Sequence, residues 1–361
     1  MDSATDQNDS PTGASYAAAG VDIEAGDRAV ELLAPLAGKA TRPEVRGGLG
    51  GFAGLFALGE YDRPLLAAAS DGVGTKLAVA QAVGRHDTIG RDLVAMVVDD
   101  LVVCGAEPLF LQDYIAVGKV VPEHIAEIVS GISAGCVDAG CALLGGETAE
   151  HPGVMEAGEY DVSATAVGVV EEAKVLGPDR VRSGDVVLAM ASSGLHSNGY
   201  SLARHVLLET AGLPLDGHMN DFGRTLGEEL LEPTRIYALD CLALANECAV
   251  HTYAHVTGGG LAANLARVIP EGLTAELNRG TWTPGPVFRT IATLGRVSRE
   301  EMEKTFNMGV GMVAVVAEDD AERAEAMLTA RHVDCWRLGE VRLAENDDEP
   351  RAVLTGEHPR A

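Results

Sequence analysis

Apolar residues along the chain form short β-branched runs and longer helical stripes, and the two alternate in both halves. Spacing at Val30, Leu33, Leu36 and Ala37 predicts an amphipathic helix within residues 16–40. A glycine-dense loop from Arg42 to Phe52 follows, and Leu65 to Ala69 predicts a buried strand ending in Ser70-Asp-Gly-Val-Gly-Thr-Lys76. Asp87 or Thr88 can cap a helix running to about Cys104, with Gly105 as its stop. Leu109 to Val117 predicts a strand. Pro122 then opens a helix ending near Gly140, since proline suits the first helical position and glycine the one past the last. Val162 to Val170 predicts a further strand, and Glu171-Glu172 with Gly177-Pro178 marks a boundary. Beyond it come strands at Val186–Ala191, His251–Val256 and Val310–Val316. Helices are expected near 201–211, 234–249 and 320–330, with a loop over 212–227. The pattern predicts α+β followed by α/β: an N-terminal mixed-sheet domain and a C-terminal α/β sandwich. The expected division is a tail over 1–15, domains over 16–172 and 173–345, and a charged tail over 346–361.

Composition narrows the function. Of 361 residues 47% are apolar, enough for two cores, yet only 4% are aromatic, so those cores rest on Ala, Val and Leu. Acids outnumber bases 54 to 27, a net charge of −27 with no basic cluster, which argues against a nucleic-acid partner. No uncharged apolar run is long enough to span a bilayer, and Met1 to Ser15 is polar without a leader pattern, so a cytoplasmic protein is expected. The six cysteines are scattered, and the Cys136/Cys141 spacing matches no common zinc or redox pattern; buried free thiols are expected.

Several residues ask for chemistry. The helix from Thr88 to Cys104 is apolar almost all round, as a buried helix is, yet it carries Asp92, Asp99 and Asp100. Asp92 and Asp99 share one narrow stripe that could face solvent. Asp100 lies about 100° away, among apolar neighbours, and is a candidate for a metal or a cationic loop. Asp71-Gly-Val-Gly-Thr-Lys76 places an oxygen ligand, a flexible backbone, a hydroxyl and a cation after a strand. It is either a capped turn or a ligand site, and it is not a Walker A loop. Gly145-Gly-Glu-Thr-Ala-Glu150 again ends an apolar run in an acid. Asp71, Asp100, Asp113 and Glu147 together suit one or two Mg²⁺ ions carrying nucleotide phosphates. Two glycine turns, one around Ser192-Ser-Gly-Leu-His-Ser-Asn-Gly199 and one at Thr257-Gly-Gly-Gly260, each feed a helix. A phosphate site is expected at one of them and ordinary tight packing of the turn at the other, with Ser197 and Asn198 in the first and Thr257 and Asn264 in the second as polar contacts. His196 is either an acid–base group or a phosphate contact.

Taken together, these motifs resemble the phosphoribosylformylglycinamidine cyclo-ligase (aminoimidazole ribonucleotide synthetase) family. The resemblance is carried by Ser15 to Ile23, Arg42 to Phe52, Asp71 to Lys76, His86 to Gly90 and Asp100 to Phe110. It continues through Gly145 to Glu150, Ser192 to Ser201, Pro233-Thr-Arg-Ile-Tyr237, Thr257 to Gly260 and Phe306 to Met312. It runs in family order from about residue 15 to 340. The resemblance implies a ligase of purine biosynthesis that converts formylglycinamidine ribonucleotide and ATP to aminoimidazole ribonucleotide, ADP and phosphate. It implies that the formyl oxygen attacks the γ-phosphate and that an internal nitrogen then displaces phosphate. It further implies a homodimer whose N-terminal domains form a central β-barrel, with ATP between the domains. Carried onto this chain, it gives nucleotide contacts at Arg42, Gly47, Gly48, Gly50, Gly51, Asp71, Gly72, Thr75, Lys76 and Asp99. Mg²⁺ would sit on Asp71, Asp100 and Glu147, with a monovalent cation as a further candidate. The ribonucleotide would meet Ser197, Asn198, Thr257, Gly258 and Gly259, and Asp100 and His196 would be catalytic. The chain departs from the family pattern at Leu32 to Ala37, where a lysine is expected, and at Asp99, where asparagine is expected. Two other functions remain open at this level. One is a non-catalytic nucleotide-binding homodimer. The other is an ATP-using relative with another acceptor, such as thiamine monophosphate kinase, formylglycinamidine synthetase, selenophosphate synthetase or a hydrogenase maturation factor.

Overall fold

The computed structural model describes residues 20–48 and 51–359. Helix α1 (Ile23–Ala37) begins at Asp22, whose carboxylate accepts the Ala25 N–H at 3.1 Å. A short hairpin, β1 (Val45–Arg46) and β2 (Leu55–Phe56), leads into β3 (Pro64–Gly72). Then come α2 (Leu77–Val83), α3 (Ile89–Val102), β4 (Glu107–Val117), α4 (Pro122–Ala139), β5 (Ala142–Glu150) and β6 (Tyr160–Glu171). The sheet order is β3-β6-β4-β5, and only β4 and β5 run parallel, joined by α4 as a crossover. Helices α1, α3 and α4 pack together on one face. The other face exposes Ser70, Gln112, Tyr114, Ser163 and Thr165. Residues 1–15 and Gly50 lie outside the described residues.

The second half runs β7 (Val186–Ala191), α5 (Tyr200–Arg204) extended by a π turn, the hairpin β8 (His218–Met219) and β9 (Arg224–Thr225), then α6 (Leu226–Leu230) and α7 (Ala238–Glu247). It continues through β10 (Val250–His255), α8 (Gly260–Ala266), β11 (Leu273–Asn278), α9 (Pro286–Gly295) and α10 (Arg299–Thr305). The last elements are β12 (Val310–Val316), α11 (Ala321–Ala330), β13 (Cys335–Leu343) and β14 (Ala352–Thr355). Their sheet has the order β10-β12-β7-β13-β11-β14, antiparallel except for β11 with β14. The expected α/β character of this half is thus corrected: it is α+β, like the first. The apolar runs of β7 and β12 resemble those of parallel strands because both faces of their sheet are covered. Leu188 and Met190 join one core, Val187 and Ala189 the other. The segment expected as a charged tail supplies the edge strand β14. All six cysteines are free, four buried and two half-buried. Among the described residues no helix is long and apolar enough to cross a membrane.

Candidate active site

Helix α3 is the spine of the site, because each of its acids reaches the C-terminal half. Asp92 is fully buried; its Oδ1 accepts from Lys76 Nζ at 2.8 Å and from the Thr234 N–H and hydroxyl at 2.7 and 2.6 Å. Asp99 is also fully buried and accepts the Tyr237 N–H at 2.9 Å. Burial pushes its carboxyl up to about 7, against the opposing pull of His255. Asp100 is the half-exposed one, and its Oδ1 meets His255 Nδ1 at 2.9 Å. The solvent-facing stripe suggested for Asp92 and Asp99 is therefore inverted. Both are inside, where the other half of the chain supplies N–H donors, and Asp100 faces the open side.

Burial disfavours the His255 charge, but the Asp100 hydrogen bond and the charges of Asp99, Asp100 and Asp71 outweigh it and raise its pKa. Asp71, at the end of β3, bonds only the adjacent Gly72 N–H at 2.7 Å and is exposed. Asp100 on His255, with the Asp71 charge acting on the same ring and little protein competition for either carboxylate, suits Mg²⁺, which prefers one or two carboxylates plus phosphate oxygens to an all-protein cage. Glu147 does not join them. It lies opposite Tyr114 in the neighbouring cross-strand row and lines a cavity beside α1, whereas Asp71 shares a row with Ala164, Asp113 and Gly146. Among the described residues no three His, Cys, Asp or Glu side chains converge as a preformed metal cluster.

The two glycine turns meet. A Cβ on Gly258 would touch Asn198 Oδ1 at 3.4 Å, and Asn198 Nδ2 is buried without a partner. Asn264 holds the second turn by donating to the carbonyls of Thr257, Gly258 and Gly260 at 3.3, 3.2 and 2.8 Å. Asn307 braces the first, accepting from Ser192 Oγ at 3.1 Å and donating to the Gly194 carbonyl at 2.9 Å. Ser197 Oγ lies 3.0 Å from Thr234 Oγ1. His196 sits between them, fully buried, in the left-handed region at φ 60°. Its Nε2 accepts the Ser193 N–H at 3.1 Å and its Nδ1 is unpartnered. Burial, then the charges of His255, Lys76 and Arg235, drives its pKa well below the usual histidine range, so the ring is neutral.

Two expected phosphate contacts are committed elsewhere. Lys76 is fully buried, and its three donors go to Asp92 and to the carbonyls of His196 at 3.1 Å and Glu232 at 2.6 Å. Arg42 binds Glu107 at 2.9 Å and the carbonyls of Pro108 and Gly140, at the far end of β4 from Asp113. Thr75 is exposed, with its hydroxyl 3.2 Å from Ser201 Oγ. Gly47, at φ 85°, and Gly48 have open space around them; Gly48 and Gly51 line a cavity of about 530 Å³ bounded by α1, β4 and β5. Composition and spacing gave no sign of His255, Thr234 or Asn307 as site residues. His255 is an ordinary strand residue until β10 is laid beside α3.

The AIR synthase related protein N-terminal domain matches residues 53–170, and the AIR synthase related protein C-terminal domain matches 182–347. A phosphoribosylformylglycinamidine cyclo-ligase of Myxococcus xanthus is 52% identical over 337 residues, 93% of this chain and 98% of that protein. One from Syntrophotalea carbinolica is 46% identical over 341 residues, covering 94% and 97%. The chain belongs to the phosphoribosylformylglycinamidine cyclo-ligase family. It is a ligase of that family, whose members are named for the AIR synthetase step of purine biosynthesis. The fold is shared more widely. Thiamine-monophosphate kinase from Stenotrophomonas maltophilia superposes with a TM-score of 0.65 at 19% identity, covering 93% of this chain and 96% of that one. The hydrogenase maturation protein HypE, solved in complex with ATP, does so at 0.60 and 19%, covering 88% of each chain.

Proposed function

We propose that this chain closes the imidazole ring of aminoimidazole ribonucleotide from formylglycinamidine ribonucleotide, using ATP and releasing ADP and phosphate. The observation that carries the assignment of parts is the 2.9 Å contact between Asp100 of α3 and His255 of β10, with the Asp71 charge near enough to help raise the His255 pKa, beside the paired glycine turns. Phosphoryl transfer asks mainly for positioning and charge neutralisation, and this end of the sheet offers both. Asp71 and Asp100 would hold Mg²⁺, which when bound neutralises and orients the ATP phosphates. His255 fixes the Asp100 carboxylate through Nδ1. The Ser197–Asn198 and Thr257–Gly259 turns present hydroxyls, an amide and backbone N–H groups to the ribonucleotide phosphate. His196, neutral and buried, supports its turn and moves no proton. Gly48 and Gly51 line the neighbouring cavity, and a site kept free of water would spare an activated formyl group from hydrolysis.

The exposed face of the β3-β6-β4-β5 sheet carries apolar Leu66, 67% exposed, and Tyr114, 41% exposed. We place the contact of a homodimer there, two such faces closing on each other as a barrel.

The test is turnover with ATP, Mg²⁺ and formylglycinamidine ribonucleotide, following ADP and the diazotisable aminoimidazole together. Equimolar products are expected, with Asp100→Asn losing both. ADP without aminoimidazole would assign the chain to a kinase-like relative instead.

A further inference from the structure

The motif Phe306-Asn-Met-Gly309, between α10 and β12, has no task in the proposed function, yet its contacts lie on both glycine turns. The Phe306 ring is fully buried against Gly199, where a Cβ would collide with it. The Gly309 carbonyl accepts the Ser192 N–H at 3.0 Å. Asn307, only 2% exposed, accepts from Ser192 Oγ at 3.1 Å and donates to the Gly194 carbonyl at 2.9 Å. The second turn rests on the same segment. A Cβ on Gly260 would collide with the Glu303 carbonyl and come within 3.4 Å of that of Phe306. Gly199 and Gly260 are both left-handed, at φ 79° and 77°, so glycine is required twice over at each.

The segment is held under strain. Met308 is left-handed at φ 52° although it is neither glycine nor asparagine, a conformation that persists only where the surroundings impose it. Two hydrogen bonds do so. The buried Trp282 indole N–H donates to the Met308 carbonyl at 2.9 Å, and the Gly309 N–H donates to Asn307 Oδ1 at 2.8 Å. Behind them Arg279 grips Glu303 through two hydrogen bonds of 2.7 and 2.8 Å. His196, within the first turn, is left-handed as well. Backbone strain of this kind collects where a ligand must find its groups already in place.

We propose that Asn307 and Trp282 are positioning residues for the ribonucleotide: through Phe306–Gly309 they hold the Ser197–Asn198 and Thr257–Gly259 turns at the one separation at which both reach the same phosphate group. This rests on the ring-closing function proposed above. The turns already approach each other, since a Cβ on Gly258 would sit 3.4 Å from Asn198 Oδ1, and Asn198 Nδ2 is buried without a partner. A phosphate monoester offers three free oxygens, so donors from the two turns bind it together without competing. Neither Asn307 nor Trp282 touches it. They remove the freedom of the turns before the ligand arrives, so that binding does not have to order them.

The test uses the full-length protein and three variants, each checked for folding by thermal melting. Calorimetry gives Kd for formylglycinamidine ribonucleotide and, separately, for ADP; kinetics gives KM and kcat. Trp282→Phe keeps an aromatic ring and removes the donor to Met308. It should raise the ribonucleotide Kd and KM about tenfold, the measure of one neutral hydrogen bond, and leave kcat and the ADP Kd within about twofold of wild type. Asn307→Leu, similar in size, removes three hydrogen bonds and should raise the same two constants on the order of 100-fold. If it does not fold, Trp282→Phe decides alone. Trp336→Phe is the control: its ring lies 6.3 Å from that of Trp282 and its indole N–H has no partner, so ribonucleotide binding should not change. A purely structural role would lower the melting temperature and leave the constants of the folded protein as they are. Ribonucleotide constants unchanged in Trp282→Phe and Asn307→Leu would therefore overturn the proposal, and so would equal losses for ADP. If the wild type binds the ribonucleotide but closes no ring, the proposed function falls, while the variants' Kd values still decide this inference. A wild type that does not bind it overturns both.

Discussion

Lys76 shows how a residue can carry the right chemistry for one job and be placed for another. A lysine in a glycine-rich turn after a strand suits a phosphate, but here all three ammonium donors are consumed inside the protein. Burial lowers its pKa, and the Asp92 carboxylate opposes that shift. The pair ties the Asp71–Lys76 turn to the His196 turn and to Thr234 of the other half. Lys76→Met should cost about 3–5 kcal/mol in urea unfolding, because it leaves Asp92 charged and unpaired in the interior. Adding Asp92→Leu should recover about half of that, the rest reflecting the orphaned Thr234 N–H. Strictly additive losses would show that the two groups do not stabilise one another.

At the scale of elements, legibility followed local physics. Helix α4 was readable at both ends: Pro122 lies in its first turn, and Gly140 closes it at φ 70°. The burial of α3 was readable from its all-round apolar surface, but the direction of its acids was not, since that depends on which face the C-terminal half covers. Strands β11 and β13 were missed because they alternate apolar with charged residues. Their charges pair across the sheet, as Arg342 does with Glu276 at 2.8 Å, so they read as surface in one dimension. Of the proposed site, the acids and glycines could be named in advance because their chemistry is local. The partnership of Asp100 with His255 spans 155 positions and exists only in the fold. Asp113 was named as one acid among four; what sets it apart, burial beside Gly146 in an acid-lined cavity, is a property of the β4–β5 pairing.

For the whole molecule, a net charge of −27 and a locally acidic cavity have different consequences. The first keeps copies of the chain apart at long range, so a dimer needs an apolar contact strong enough to overcome it. The outer sheet face offers that contact, and Leu66→Asp should convert a dimer in sedimentation velocity into a monomer; a retained dimer would move the contact elsewhere. The second concerns the reaction proposed here, in which a formyl oxygen and a γ-phosphate must meet among carboxylates that a metal ion would have to neutralise. The most direct measurement is turnover of substrate labelled with ¹⁸O in the formyl group, with the released phosphate analysed by mass. Ring closure through phosphorylation of that oxygen predicts that each inorganic phosphate carries the label. Unlabelled phosphate, with the ¹⁸O found in water, would contradict it.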